Sequence, residues 1–485
     1  MQTVSCPSCG APVDFRSHAS VMAVCVYCRA SVIKDADAVK DLGKISAVLE
    51  DFSPLQIGTA GTFGGRGFTV VGRIQLRYDQ GLWNEWYLLF DDGSSAWLGD
   101  SSGLFTITTA QDIGPPLPDF HELVPGQSYQ IGSENYTASE KREAQCIGGE
   151  GELPFRVGDG WTIRVVDFRR ANLFLTLDYT DGAVPVVYRG QAVLLPELRC
   201  QLLRDEDQIK TSTGKYRARV EALDCPSCGG AIKYVPGMTA NLVCPSCATQ
   251  LDASGPEATV LAAGETVERM VNTLALGATA MIAGSSHTVI GAMVRTDEEG
   301  TEWTEYLVYS ARAGFFWLVE TDEGWFRASV LPSWPEPAAP GAHSVRVDNH
   351  AYTKLYDYTA TVRYAAGAFN WRVAVGDEVR VSEFESGQAT LAAELTEHEL
   401  TWSRSTTVAF DQIKTWFGAD VKGTGPAAVK APSSLLGGQM KFVWWILGLN
   451  AIPILFAFGE TFLMTVAALV ALFYPASYFQ GSDNE

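Results

Sequence analysis

The chain has 485 residues, 47% of them hydrophobic and 11% aromatic. That is too long for one ordinary core and too apolar for a disordered chain, so several packed domains are expected. Fifty-six Asp and Glu against 36 Lys and Arg leave a formal charge of −20, which repels phosphate backbones and argues against a nucleic-acid partner.

Of ten cysteines, eight fall in four C-x-x-C pairs. The opening residues, MQTVSCPSCG, lack the apolar stretch of a secretory signal. A reducing compartment with metal-bound thiolates is therefore expected instead of disulfides.

The first element runs from Cys6 to Cys28, CPSCGAPVDFRSHASVMAVCVYC, and recurs from Cys225 to Cys247 as CPSCGGAIKYVPGMTANLVCPSC. Both read C-x2-C-x15-C-x2-C. Two residues between cysteines let one tight turn aim both sulfurs at a single ion, and fifteen allow a hairpin that returns the second pair to close a tetrahedral S4 site. Structural disulfides or a thioredoxin-like redox pair are the alternatives, but four cysteines per unit without a βαβ context argue against them. The sequence thus predicts zinc ribbons over 1–34 and 221–255. Their two structural Zn2+ ions are assigned to Cys6, Cys9, Cys25, Cys28 and to Cys225, Cys228, Cys244, Cys247. Between the outer cysteines the charged residues are Asp14, Arg16 and Lys233 alone, too few bases to track phosphates. The ribbons read as folding modules or protein-docking knobs.

After each ribbon comes a helical pattern, predicted over 35–54 and 256–275. Leu42, Ile45, Leu49 and Phe52 share one face, as do Val267, Met270, Val271 and Leu274. Two β-rich bodies follow, 55–210 and 276–420, with short Val, Ile, Tyr, Phe and Trp runs between turn signals such as DDGS, DEEG and TDEG. TVVGRIQLRYDQGLWNEWYLLF matches TVIGAMVRTDEEGTEWTEYLVY. SAWLGDSSGLF matches FFWLVETDEGWF, and GELPFRVGDGWTIRVVDF matches GAFNWRVAVGDEVRVSEF. Ribbon, helix and β body are one duplicated unit of about 220 residues. Each body is expected to be an antiparallel barrel or sandwich, as one large barrel or two small ones.

The pattern G-x-[IV]…W-x-E-[WY]-x-L…WL, from Gly72 to Leu98 and from Gly291 to Leu318, resembles the bacterial Domain of Unknown Function 4178 family. The resemblance implies two copies of that domain with ribbons beside them, and an association with membrane stress or polyamine synthesis. It carries over no catalytic residue.

Trp83 and Glu85 lie two apart and share a strand face, as do Trp303 and Glu305. With Trp97 and Trp317 they are the candidate binding residues. A carboxylate beside indole rings could grip a polyamine-like cation by charge and cation–π contact, or serve only as a rim Glu between packing tryptophans. The six histidines form no metal or catalytic pattern, Cys146 reads as a buried thiol opposite Val362, and the glycine-dense GTAGTFGGRG lacks the Lys-Ser/Thr of a phosphate loop.

From Phe442 to Phe479 the only charge in 38 residues is Glu460. One helix of that length would span about 57 Å, against about 30 Å of hydrocarbon. The sequence therefore predicts a transmembrane hairpin over 441–479, turning near Gly459-Glu460, with Trp444, Trp445, Tyr474 and Tyr478 at one interface. A buried hairpin of a soluble domain is the alternative. Lys430 and Lys441 set that interface in the cytoplasm, and the Gly/Pro/Ala/Ser stretch over 421–440 is a tether reaching about 20–25 Å.

The expectation is a mainly β, non-enzymatic protein of two tandem repeats with a C-terminal transmembrane hairpin. It would be a cytosolic adaptor held at the inner membrane by contact with lipid, binding protein partners and no nucleic acid. The second expectation is a small-ligand sensor or accessory subunit for a polyamine-like cation.

Overall fold

The computed structural model describes residues 2–16, 20–28, 30–35, 38–44, 53–78, 81–101, 104–114, 116–157, 160–204, 221–234, 241–252, 259–262, 273–310, 313–369, 371–387, 389–418 and 421. The tether and hairpin expected over 421–440 and 441–479 lie outside them, apart from Val421. No helix among the described residues is long and apolar enough to cross a membrane.

In the first ribbon, β1 (Gln2–Ser5) and β2 (Pro12–Phe15) flank one cysteine turn, and β3 (Met22–Val24) and β4 (Ala30–Asp35) flank the other. Gly10 closes the first turn at φ +78°, donating its N–H to Cys6 O at 2.8 Å, a left-handed geometry that costs glycine nothing. The chain then forms β5 (Ala38–Lys44), paired antiparallel with β4. A strand thus occupies the start of the predicted helix. The short connection that sets Asp35 opposite Ala38 brings β5 onto the free edge of β4, and hydrogen bonding there outweighs a weak helical pattern interrupted by Gly43. The rest of that pattern, 45–52, is outside the described residues.

The first body comprises β6 (Ala60–Phe63), β7 (Arg66–Tyr78), β8 (Gly81–Phe90), β9 (Ser95–Ser101) and β10 (Leu104–Gln111), then β11 (Ser128–Ile131), β12 (Glu134–Leu153), β13 (Thr162–Arg170), β14 (Leu173–Asp178) and β15 (Val186–Val193). Pairing runs β7-β8-β9-β10-β15-β14-β13-β12 and returns from β12 to β7. Each body expected from sequence is therefore one closed, eight-stranded antiparallel barrel, which removes the exposed sheet edges. β12 closes it by spending its first half on β13 and its second half on β7. Where the two close, a Cβ on Gly72 would lie 1.9 Å from Glu152 O, and one on Gly151 2.2 Å from Val71 O. Only glycine fits the crossing. The end of β12 also pairs with β3, setting Leu153 opposite Met22. The ribbon is annealed to the barrel through one continuous strand.

The second repeat follows the same plan. Its ribbon has β16 (Glu221–Asp224), β17 (Ala231–Tyr234), β18 (Asn241–Val243), β19 (Gln250–Asp252) and β20 (Thr259–Ala262). β20 begins in the segment predicted as the second helix, whose middle, 263–272, is not described. The body has β21 (Thr279–Ile282), β22 (Ser285–Thr296), β23 (Glu302–Ser310), β24 (Gly314–Glu320) and β25 (Trp325–Val330), then β26 (Ser344–Val347), β27 (His350–Phe369), β28 (Glu378–Ser386), β29 (Ala389–Leu395) and β30 (Leu400–Val408). Its ring closes between β27 and β22.

Outward residues of both barrels are buried under covering segments. Trp86, Leu88, Leu98 and Phe105 pack with Leu55 and Leu198, while Phe168, Leu175 and Leu177 pack with Phe120 and Leu123. Each such side chain contributes about 1.5–3 kcal/mol. A helix that the sequence reading did not anticipate, α1 (Phe410–Phe417), lays the fully buried Ile413 on the second barrel beside Tyr306 and Trp325. The barrels touch each other directly. Lys141 N donates to His398 O at 3.0 Å and Trp334 N to Ala171 O at 2.9 Å. Arg142 pairs with Glu399 at 3.2 Å.

Candidate functional site

Within the first ribbon, Cys6 Sγ lies 3.6 Å from Cys28 Sγ and Cys9 Sγ lies 3.7 Å from Cys25 Sγ. In the second, the pairs Cys225–Cys247 and Cys228–Cys244 are each 3.7 Å apart. None of the ten cysteines is in a disulfide. Within each set the four sulfurs lie no more than 4.8 Å apart, close to the edge of about 3.8 Å expected for a tetrahedron with 2.3 Å metal–sulfur bonds. Backbone amides support the sulfurs, with Gly230 N 3.4 Å from Cys228 Sγ and Ser246 N 3.4 Å from Cys244 Sγ. The two sets could each hold a metal ion.

The second feature is the barrel interior. A strand alternates its side chains, so a closed barrel sends every second residue inward. A cavity of about 2050 Å3 takes in Leu76, Glu85, Thr106, Asp167 and Asp178 of the first barrel and Arg295, Glu305, Glu383, Glu394 and Ser403 of the second. Alternate residues of all eight strands of each barrel line it. It joins both lumens through the mouths at Glu140, Arg142 and Glu397–Glu399. Among the described residues its walls carry 21 Asp and Glu against five Arg, together with 14 aromatic side chains. Low-dielectric walls of one sign concentrate field lines and attract cations.

Three inward carboxylates occupy the same register positions in both barrels. Glu85 corresponds to Glu305, since Leu76 and Arg295 pair with the matching tryptophans Trp83 and Trp303. Asp167 corresponds to Glu383 and Asp178 to Glu394, because Asp178 opposes Val165 as Glu394 opposes Val381. Burial pushes Glu85 up to about 7, only partly opposed by the Trp83 N–H, with Asp167 and Asp178 adding repulsion. Burial likewise lifts Asp167 to about 6, against the Thr176 hydroxyl at 2.6 Å and the charges of Arg142 and Arg169. Asp178 and Glu383 are raised by burial too. In the second barrel, burial raises Glu305 while Arg295 opposes the rise.

The sequence-predicted residues fall in this interior. Trp83 donates to Glu85 at 3.3 Å and Trp303 to Glu305 at 2.7 Å, so both pairs exist as hydrogen-bonded units. Trp97 stacks on Phe155 with centroids 5.7 Å apart, and Trp317 meets Trp371 at 5.3 Å, flooring the two lumens. All six line the cavity. Cys146 is buried, and burial pushes its thiol up to about 12.

Sequence reasoning missed Asp167, Asp178, Glu383, Glu394 and Arg295. Aligning VVDF with VSEF already set Asp167 on Glu383; what was absent was the knowledge that these strands close into a ring.

Fold and site define a tandem of eight-stranded barrels with acidic, aromatic-lined lumens, each carrying a four-cysteine ribbon. A family model described as Domain of unknown function (DUF4178) matches residues 56–195 and 275–410, and the chain belongs to that family in two copies. No curated protein and no solved structure matches the chain.

Proposed function

We propose that the chain is a receptor for an organic polycation of polyamine type, taken up into the joined lumens. The observation that carries this reading is the recurrence of three inward carboxylates at matching positions of both barrels, among aromatic side chains. Ammonium groups separated by methylenes suit walls on which carboxylates alternate with indole and phenol rings. A protein adaptor would need Trp83 and Trp303 exposed; their place in the lumen favours the small ligand.

In this reading zinc fills both cysteine sets, since four thiolates suit its tetrahedral preference. With no open position left, the ion fixes each ribbon to its barrel strand. Residues 441–479 would attach the receptor to the inner face of the cytoplasmic membrane, where a protein partner could sense the filled lumen.

Calorimetric titration of the full chain with spermidine at pH 8 tests the proposal. Saturable binding that weakens in the Glu85→Gln/Glu305→Gln double variant is expected. Absence of saturable binding, or binding unchanged in that variant, overturns it.

A further inference from the structure

The duplication provides an internal comparison between two lumens built on one plan. In the second barrel, the Arg295 guanidinium lies 3.5 Å from Glu305 and 3.2 Å from Glu394, its side chain only 9% exposed. Glu305 stands on β23 and Glu394 on β29, so one guanidinium bridges two walls. Despite the burial that works against its charge, these carboxylates hold Arg295 more firmly protonated than usual.

The first barrel keeps the two acids, as Glu85 on β8 and Asp178 on β14, and lacks the base. Arg295 pairs with Trp303 on one side and Val362 on the other; Leu76 pairs with Trp83 and Cys146. Two independent registers thus set Leu76 where Arg295 stands. Among the described residues, no Arg or Lys pairs with Glu85 or Asp178. Three Arg side chains line this lumen, and among the described residues Arg156 is exposed and pairs with neither acid, while the other two are engaged elsewhere. Arg142 is held by Glu140 and Glu399 and lies 3.8 Å over the Tyr78 ring. Arg169 donates to Pro332 O and faces Phe174 and Trp334, each at 5.5 Å.

A carboxylate pair that grips a guanidinium in one copy is therefore present in the other without it. We infer that the first barrel is a binding site for the guanidinium or primary ammonium head group of a ligand, and that Arg295 is the built-in occupant of the same site in the second barrel. This deepens the receptor reading and rests on it. One head-group site per chain follows, with the second lumen self-filled at that point. Bidentate, planar recognition by two carboxylates favours guanidinium over ammonium.

Reciprocal exchange tests the assignment, with butylguanidinium as the probe on the full-length protein and isothermal calorimetry as the readout. Wild type is expected to bind one equivalent. Leu76→Arg should bind none, because the introduced guanidinium fills the site. Arg295→Leu should bind two, having opened the second lumen, and this gain does not depend on how well the first variant folds. Glu85→Gln should weaken the single site on the order of 30-fold or more, as expected when one partner of an enclosed charge pair is removed. Wild type binding two equivalents, or Leu76→Arg and Arg295→Leu both binding as wild type, overturns the assignment. If spermidine still binds in that case, the receptor reading survives its loss. If neither cation binds, both fail.

Discussion

Trp303 donates its indole N–H to Glu305 at 2.7 Å, and Trp83 makes the same bond to Glu85 at 3.3 Å. Two residues apart on a strand, each pair projects to one face, and in a closed barrel that face is the lumen. The bond aims the carboxyl while filling only one of its roughly four acceptor positions. In the second barrel Arg295 adds a charge partner; in the first, Trp83 is the donor to Glu85 among the described residues. A pre-oriented, incompletely satisfied carboxylate follows, and its titration and its cost to folding can both be measured.

Cation binding should strengthen as pH rises from 6 to 8. Burial and the facing Asp167 and Asp178 hold Glu85 near 7, and Asp167 titrates near 6. Tyr188 and Cys146, which also feel Glu85, are pushed to about 12 and stay neutral over that range. Spermidine affinity measured at constant ionic strength checks this. A flat profile would show that neither carboxyl takes part.

Glu85→Gln should stabilise the protein at pH 8 and leave it unchanged near pH 4. The folded carboxyl titrates near 7, above its ordinary value of 4.5. The native state therefore holds the proton that the unfolded chain has released, and stability falls as pH rises through that window. Glutamine keeps the shape and removes the penalty. Thermal midpoints at the two pH values give the comparison.

Metal content should be two zinc ions per chain, and Cys25→Ser and Cys244→Ser should each lose one. Because β3 is paired with the end of β12, losing the first ion should speed amide exchange at Met22–Val24 and Glu152–Leu153 while β8 and β9 stay protected. Metal analysis with hydrogen-exchange mass spectrometry checks both statements. Two ions remaining in Cys25→Ser would remove that ligand from the set.

Gly72→Ala should destabilise by about 1–3 kcal/mol or more, since its Cβ would meet backbone that cannot rotate away. Gly64→Ala, in the turn between β6 and β7 with open space at its Cβ, should cost about 1–2 kcal/mol through its left-handed φ alone. Denaturant midpoints should rank the two accordingly.

Much of this was legible in the chain. Cysteine spacing fixed both metal sets because a C-x-x-C turn has little freedom, and repeat matching aligned Trp83 with Trp303 and Glu85 with Glu305. Period-two patterning gave strands but not their ring order, so Glu85 and Asp178, 93 positions apart, could not be seen to face one lumen. The same gap hid that Trp83 lines the lumen. The helical reading of 35–54 failed over Ala38–Lys44 because the open edge of β4 offered hydrogen bonds that no local pattern records. Gly72, noticed as part of a motif, acquires its reason only from the carbonyl of Glu152 across the barrel closure.

The most direct test of the central claim is to locate a cation in the lumen. Crystals of the protein soaked with 3-iodobenzylguanidinium at pH 8 would place the ligand by the anomalous scattering of iodine. The account predicts one ligand inside the first barrel, its guanidinium within about 4 Å of Glu85 and Asp178, and none beside Arg295. Iodine found only on the outer surface, or equally in both barrels, would contradict it.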